Sequence, residues 1–325
     1  MSDRPSLEIA PRVRDAIAAG HPVVALESTL ITHGFAAPLN LETARRAEAA
    51  VRGAGAEPAT VAVHDGQLLV GLSDAQLGEL AGAPAARKAS RSTLALALAE
   101  GGWAGTTVSA TMIAAHRAGI RVFATGGIGG VHRGGAQTMD VSADLDELAR
   151  TPVLVVCAGP KSVLDVDLTI EYLETRGVPI VGWQTRELAG FYARESGRTV
   201  AGSVDDARQA ARLASAHWAL GLDSGIVVAV PVPADDALSA EEADSAIATA
   251  ISESEAAAIH GPESTPWVLA RVAELTGGRS VTANLALIEN NARVAADIAS
   301  ALARTATADS HKSRWESRSG GNVRD

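Results

Sequence analysis

The run Arg121-Val122-Phe123-Ala124-Thr125-Gly126-Gly127-Ile128-Gly129-Gly130 and its echo, Val153-Leu154-Val155-Val156-Cys157-Ala158-Gly159-Pro160-Lys161, decide the fold class. Each opens on a short apolar stretch without polar alternation, the pattern of a strand covered on both faces. Each then empties into glycine, which permits close backbone approach and unusual dihedrals. Outward from these, Pro22-Val23-Val24-Ala25-Leu26 is a third buried run and ends at Glu27. Val178-Pro179-Ile180-Val181-Gly182 and Ile226-Val227-Val228-Ala229-Val230 are two more. Helical patterns at 41–54, closed by Gly55, and at 163–176 lie between such runs. Strands alternating with helices predict an α/β protein, layered α/β/α around a central, largely parallel or mixed sheet. Thr60-Val61-Ala62-Val63 and Gln67-Leu68-Leu69-Val70 predict a hairpin that turns at His64-Asp65-Gly66. Further helices are expected at 11–19, 73–80, 92–99, 265–274 and 285–303, with one or two in the acidic stretch 236–257. Residues 1–10 read as a loose arm and 304–325 as a disordered polar tail, which leaves one catalytic domain over 1–303.

Composition narrows the function. The formal charge of −10 argues against an extended nucleic-acid surface, though not against a small anion pocket. A single cysteine, Cys157, excludes an intramolecular disulfide framework and suits a reducing compartment. No apolar run reaches the roughly 20 residues of a membrane span, so a soluble cytoplasmic protein is expected. Among the 28 basic residues only Lys88, Lys161 and Lys312 are lysines. Arginine stays protonated, whereas a lysine amine can lose its proton and act as a nucleophile.

Lys161 follows a strand and an Ala-Gly-Pro turn, and the carboxyl end of a strand is where α/β sheets present groups to ligands. It is either an imine-forming nucleophile or a surface lysine capping the turn. Glu27, also at a strand end, is either a hydrogen-bonded support or a general acid; His33 close by carries little weight alone. The Gly126–Gly130 loop lacks a Walker lysine and does not have dinucleotide-fingerprint spacing, so it reads as a tight active-site loop or an anion nest. Lys88 with Ser90, Arg91 and Ser92 is either a phosphate-binding group or a solvated charge cluster. Asp140 and Asp144 are candidate oxygen ligands for manganese or magnesium, while Ser142 or Asp144 can equally cap the helix that contains Leu145. Asn284, Asn290 and Asn291 fall in a helical pattern that asparagine does not favour, which implies capping, interface or recognition roles. There is no His-Glu-x-x-His signature.

Taken together, these segments resemble the pseudouridine-5′-phosphate glycosidases of the indigoidine-synthase-A-like family. The resemblance rests on Val24-Ala25-Leu26-Glu27-Ser28-Thr29, on Phe123 through Gly134, and on Asp140-Val141-Ser142-Ala143-Asp144-Leu145. It continues through Val155 to Gly159 with Lys161-Ser162, Glu171 to Thr175, Glu263-Ser264-Thr265-Pro266, and Asn284 with Asn290-Asn291-Ala292. These motifs occur in order over roughly residues 7–303.

The resemblance implies reversible cleavage of pseudouridine 5′-phosphate to uracil and ribose 5-phosphate. It makes Lys161 the imine-forming residue, Glu27 the acid/base group and Asp140 the ligand of a divalent metal, Mn2+. Lys88 becomes the substrate and phosphate contact, supported by the backbone near Val108 and by Ser142-Ala143-Asp144. Thr125, His132 and Asn284 align with polar pocket positions, and Asp144 is a second candidate for proton transfer at a sugar hydroxyl. A homotrimer is also implied, with no nucleic-acid or membrane partner. Two positions depart from the familiar pattern: Ser109-Ala110-Thr111-Met112 stands in place of Ala-Ser-Thr-Met, and Pro160 in place of alanine. The alternatives are a C-glycosidase or C-glycoside synthase for another pyrimidine-like base, a sugar-phosphate kinase, and a noncatalytic phosphosugar-binding protein.

Overall fold

The computed structural model describes residues 6–319 except 258 and 260–263. Its sheet runs in the spatial order Ser6–Ile9, Gln67–Val70, Glu57–His64, Val23–Leu26, Val122–Ala124, Leu154–Cys157, Ile226–Ala229, Ile180–Trp183 and Gly202–Val204. From Glu57–His64 to Gly202–Val204 every pairing on this path is parallel. The far end of Glu57–His64 also pairs antiparallel with Trp103–Thr106, which carries Arg87–Ala89 beside it in parallel. The sheet is therefore mixed with a parallel centre, as the apolar runs imply.

Alternation along each strand explains the layers. Val24, Leu26, Val122, Ala124, Leu154, Val156, Ile226 and Val228 face one side of the sheet. There they meet Ala47 and Val51 of the helix Leu39–Gly53, Ala210 and Ala214 of Ala207–Ala219, and Leu287 and Ala295 of Arg279–Ser319. Val23, Ala25, Phe123, Val155, Cys157 and Val227 face the other side, against Val13 of Pro11–Ala18, Ala110 and Met112 of Val108–Ala118, and Leu145 and Leu148 of Ala143–Leu148. Side chains two apart share a face, so a strand apolar at every position needs helices on both sides. Burial pushes the Cys157 thiol up to about 12, which marks it as a structural residue of this layer.

The hairpin forms as read, with Asp65 and Gly66 both at positive φ in the turn. Two sequence expectations change and one open alternative is resolved. Residues 6–9 are not part of a loose arm but an edge strand parallel to Gln67–Val70, because Leu7 and Ile9 pack onto the core. The acidic stretch gives one helix, Ala240–Ala256, capped by Ser239 and burying Ala243, Ala246, Ile247 and Ala250. The last helix does not stop at Ala303 but continues to Ser319, since residues 304–319 contain neither proline nor glycine to end it. Residues 320–325 lie outside the described residues. No helix among the described residues is long and apolar enough to cross a membrane.

Candidate active site

Both quoted loops leave the sheet side by side and stay stitched beyond its edge. Thr125 donates its N–H to the Val156 carbonyl at 3.0 Å, Ala158 to Gly126 at 2.9 Å, Ile128 to Gly159 at 3.1 Å and Lys161 to Ile128 at 3.0 Å. Gly159 is needed here: its φ is +83°, and a Cβ would lie 2.7 Å from the Ala189 carbonyl oxygen. The C-terminal helix secures the other loop, where Asn291 donates from Nδ2 to the Thr125 carbonyl at 2.9 Å. Asn284, two turns earlier on the same helix, lies against Gly126. Asn290 reaches the Pro231 carbonyl at 3.4 Å. Asn290 and Asn291 are thus accounted for by the loops they hold.

A cavity of about 440 Å³ opens above these strand ends, and Glu27, Lys88, Lys161 and Asn284 all line it. Glu27 is 8% exposed and accepts hydrogen bonds from the hydroxyls of Thr29 and Thr125. A carboxyl group at this depth needs such donors, and they hold it at a set orientation. Lys88 is the C-terminal neighbour of Arg87 on the edge strand. Burial pulls its ammonium below the ordinary lysine range, and the Lys161 charge adds to the effect while Asp144 and Glu27 oppose it. The cavity therefore joins two amines and a carboxyl group that sense one another. Such a constellation supports nucleophilic chemistry at a carbonyl-like carbon with a proton-transfer group beside it.

The segment Asp140–Asp144 is next to that wall, near enough for the Asp144 charge to act on Lys88. Asp144, 5% exposed, accepts the Ser109 N–H on Oδ1 and the Gly129 N–H on Oδ2, each at 2.9 Å. It ties the start of the helix Val108–Ala118 to the glycine loop, and Val108 is wholly buried there. Gly129 must be glycine, since a Cβ would meet Ser142 Oγ at 2.2 Å and Asp144 Oδ2 at 2.6 Å. Ser142 caps the next helix, accepting the Asp144 N–H at 3.3 Å, so the capping reading of this segment holds; Ala143 begins that helix. His132 donates its backbone N–H to the Asp140 carbonyl at 2.9 Å, with its ring Nδ1 4.0 Å from the Asp140 carboxylate. Val108, Thr125, His132, Asp140, Ser142, Ala143 and Asp144 are thus not on the wall shared by Glu27, Lys88, Lys161 and Asn284. Thr125 joins them through its bond to Glu27.

The Asp140 carboxylate is 56% exposed, and among the described residues no group of three or more His, Cys, Asp or Glu side chains could hold a metal ion. An exposed carboxylate of this kind can supply one oxygen ligand to a divalent cation, the others coming from water or substrate.

The comparisons with known proteins bear on this geometry. The family model described as indigoidine synthase A like protein matches residues 12–301. The chain belongs to this family. Its relatives include a pseudouridine-5′-phosphate glycosidase from Methylobacterium nodulans, 54% identical over 92% of this chain and 88% of the relative. One of the same name from Sorangium cellulosum is 50% identical over 97% of this chain and 99% of the relative. Among solved structures, the prealnumycin C-glycosynthase in complex with ribulose 5-phosphate superposes with a TM-score of 0.87 at 40% identity, covering 94% of this chain and 99% of that one. An indigoidine synthase A-like protein from Thermotoga maritima gives 0.82 at 34% identity, covering 92% and 97%.

Other residues on the wall of this family member escaped the sequence reading. Phe191 and Tyr192 line the cavity, packed edge to face with centroids 4.8 Å apart. Phe191 holds φ +63°, a costly conformation for a bulky residue and one that clusters at functional sites. The available signal was an adjacent aromatic pair in a chain only 3% aromatic. His33, singled out in the sequence beside Glu27, also lines the cavity; burial and the Lys88 charge lower its pKa, and its Nδ1 lies 2.6 Å from the Thr32 hydroxyl. The helix Ser264–Leu275 contributes Pro266 and Leu269 to the wall. Glu263, quoted with this segment, lies outside the described residues.

Proposed function

We propose that this chain reversibly cleaves the C–C glycosidic bond of pseudouridine 5′-phosphate, giving uracil and ribose 5-phosphate, through an imine on Lys161. The observation that carries the proposal is the meeting of Lys161 and Glu27 in one cavity above the carboxyl ends of parallel strands. Near-full-length relatives named for this activity support it.

A carbon leaving group cannot be expelled as a nitrogen or oxygen one is, and the amine solves that difficulty. Lys161 Nζ bonds to C1′ as the bond from C1′ to the ring oxygen breaks, and that oxygen leaves as the protonated C4′ hydroxyl. The nitrogen lone pair then forms C=N as the bond from C1′ to the base breaks. The departing electron pair goes to the uracil carbon, which takes a proton. Water adds to the iminium, the amine is expelled, and ribose 5-phosphate forms. Glu27, held by two hydroxyls beside the cavity, moves the proton at the ring oxygen. Lys88 binds the phosphate, with the Val108 backbone and the turn Ser142-Ala143-Asp144 alongside; Thr125, His132 and Asn284 complete the polar contacts. In this reading Asp140 holds Mn2+, which supplies positive charge toward the anionic substrate. Replacing Asp140 with Asn is expected to raise the manganese concentration needed for half-maximal activity at least tenfold, read by titrating metal into metal-free protein.

The reading also carries a homotrimer in the cytoplasm; a monomeric mass in solution would remove the trimer. The direct test is uracil release from pseudouridine 5′-phosphate by the pure protein with manganese, followed by chromatography. Release of uracil and ribose 5-phosphate in equal amounts is expected; inert substrate would overturn the activity. Similarity to the prealnumycin C-glycosynthase favours a second reading, synthesis of a C-glycoside on a different base. Condensation of ribose 5-phosphate with other bases, faster than with uracil, would select it.

A further inference from the structure

Lys88 sits on a short edge strand. Arg87–Ala89 has three residues and pairs only with Trp103–Thr106 among the described strands. After it, the chain turns through Ser90–Thr93, where the Thr93 hydroxyl donates to the Lys88 carbonyl at 3.0 Å and accepts the Ser90 N–H at 2.9 Å. These bonds shape the turn internally, and the backbone joins its base to the start of the helix Val108–Ala118, the Thr107 N–H donating to the Ala89 carbonyl at 2.9 Å.

Arg91 adds two further attachments. Its backbone N–H donates to Ser109 Oγ at 3.1 Å, on the first turn of the helix Val108–Ala118. Its guanidinium Nη1 pairs with Glu147 Oε2 on the helix Ala143–Leu148, which begins with the turn that contains Asp144. Glu147 is 2% exposed, and its other oxygen accepts from the Thr151 hydroxyl. Asp144 ties the same two helices through the Ser109 N–H. The Lys88 turn, the Val108 helix start and the Ser142–Asp144 turn thus form one closed frame with Arg91 as the strut on the Lys88 side. A buried carboxylate is costly without its partner, so Glu147 holds Arg91 at a definite place.

We infer that Arg91 is a positioning residue for the phosphate end of the substrate: through its ion pair with Glu147 it holds the turn after Lys88 against the helix Ala143–Leu148 that begins at the Ser142–Asp144 turn. The sequence grouped Arg91 with Lys88 as either a phosphate-binding group or a solvated charge cluster; the ion pair turns its guanidinium to Glu147. The inference rests on the proposed function only in taking Lys88 as the phosphate contact.

The test measures steady-state kinetics on pseudouridine 5′-phosphate and on unphosphorylated pseudouridine, together with inorganic phosphate binding by calorimetry. It compares wild type, Arg91→Met, Arg91→Lys and Glu147→Gln. In Arg91→Met, KM for the phosphorylated substrate is expected to rise at least tenfold with kcat changed less than threefold, and phosphate is expected to bind at least tenfold more weakly. Kinetics on pseudouridine are expected to change little. Arg91→Lys, which keeps a charge for the single Nη1 contact, is expected to recover most of the affinity, and Glu147→Gln to show the Arg91→Met pattern more mildly. Equal losses on both substrates, or loss of folded protein in Arg91→Met with normal phosphate affinity in Glu147→Gln, overturns the inference. Should wild-type protein not turn over pseudouridine 5′-phosphate, the proposed function fails and phosphate affinity alone decides: tenfold weakening supports the strut, and unchanged affinity overturns it.

Discussion

Lys161→Arg is expected to lower kcat for pseudouridine 5′-phosphate by on the order of 10⁴-fold or more, the scale seen when a covalent nucleophile is removed. Arginine keeps the positive charge and much of the length, so binding and fold should persist, but a guanidinium does not form the imine. The surroundings favour a clean result. The Lys161 backbone is fixed by its N–H bond to the Ile128 carbonyl, which any side chain at this position preserves. Steady-state kinetics with a large excess of enzyme would set the limit, and thermal melting would check that the fold survives. A variant that retained more than a tenth of wild-type kcat would place the chemistry elsewhere.

Glu27→Gln is expected to lower kcat by about 10²- to 10⁴-fold, the usual range for losing a positioned acid/base group. The exchange is nearly isosteric. Hydroxyls can donate or accept, so Thr29 and Thr125 can turn to meet an amide, and the cost to stability is expected to be about 1 kcal/mol. If Glu27 were only a support, the amide would serve almost as well and kcat would stay within a few-fold. Single-turnover rates distinguish the two roles, because a proton-transfer defect slows bond cleavage itself.

What the sequence made legible follows from how each signal is encoded. The central strands are continuous apolar runs, readable because both faces are buried. Arg87–Ala89 was missed because an edge strand that begins Arg-Lys carries no apolar pattern. The helix Val108–Ala118 was missed for the opposite reason: eight of its eleven residues are buried, Ser109 and Thr111 among them, so it lacks the polar face that gives helical periodicity. At the site, Glu27 and Lys161 were legible because strand ends present their next residues to the ligand side. The Asp144 bond to Ser109 spans 35 residues and the Arg91 bond to Glu147 spans 56. Neither partnership leaves a local trace, and only the fold brings the groups together. His132 and Asp140 are joined to each other by the His132 N–H bond to the Asp140 carbonyl, a pairing eight residues apart that no local pattern announces.

The central claim is the covalent bond, and borohydride reduction tests it most directly. Protein incubated with ribose 5-phosphate and manganese is reduced, digested and analysed by mass spectrometry. A reduced ribose-phosphate adduct is expected on Lys161 and none in Lys161→Arg. Turnover of pseudouridine 5′-phosphate with no adduct, or with the adduct on Lys88 or Lys312 instead, would contradict it.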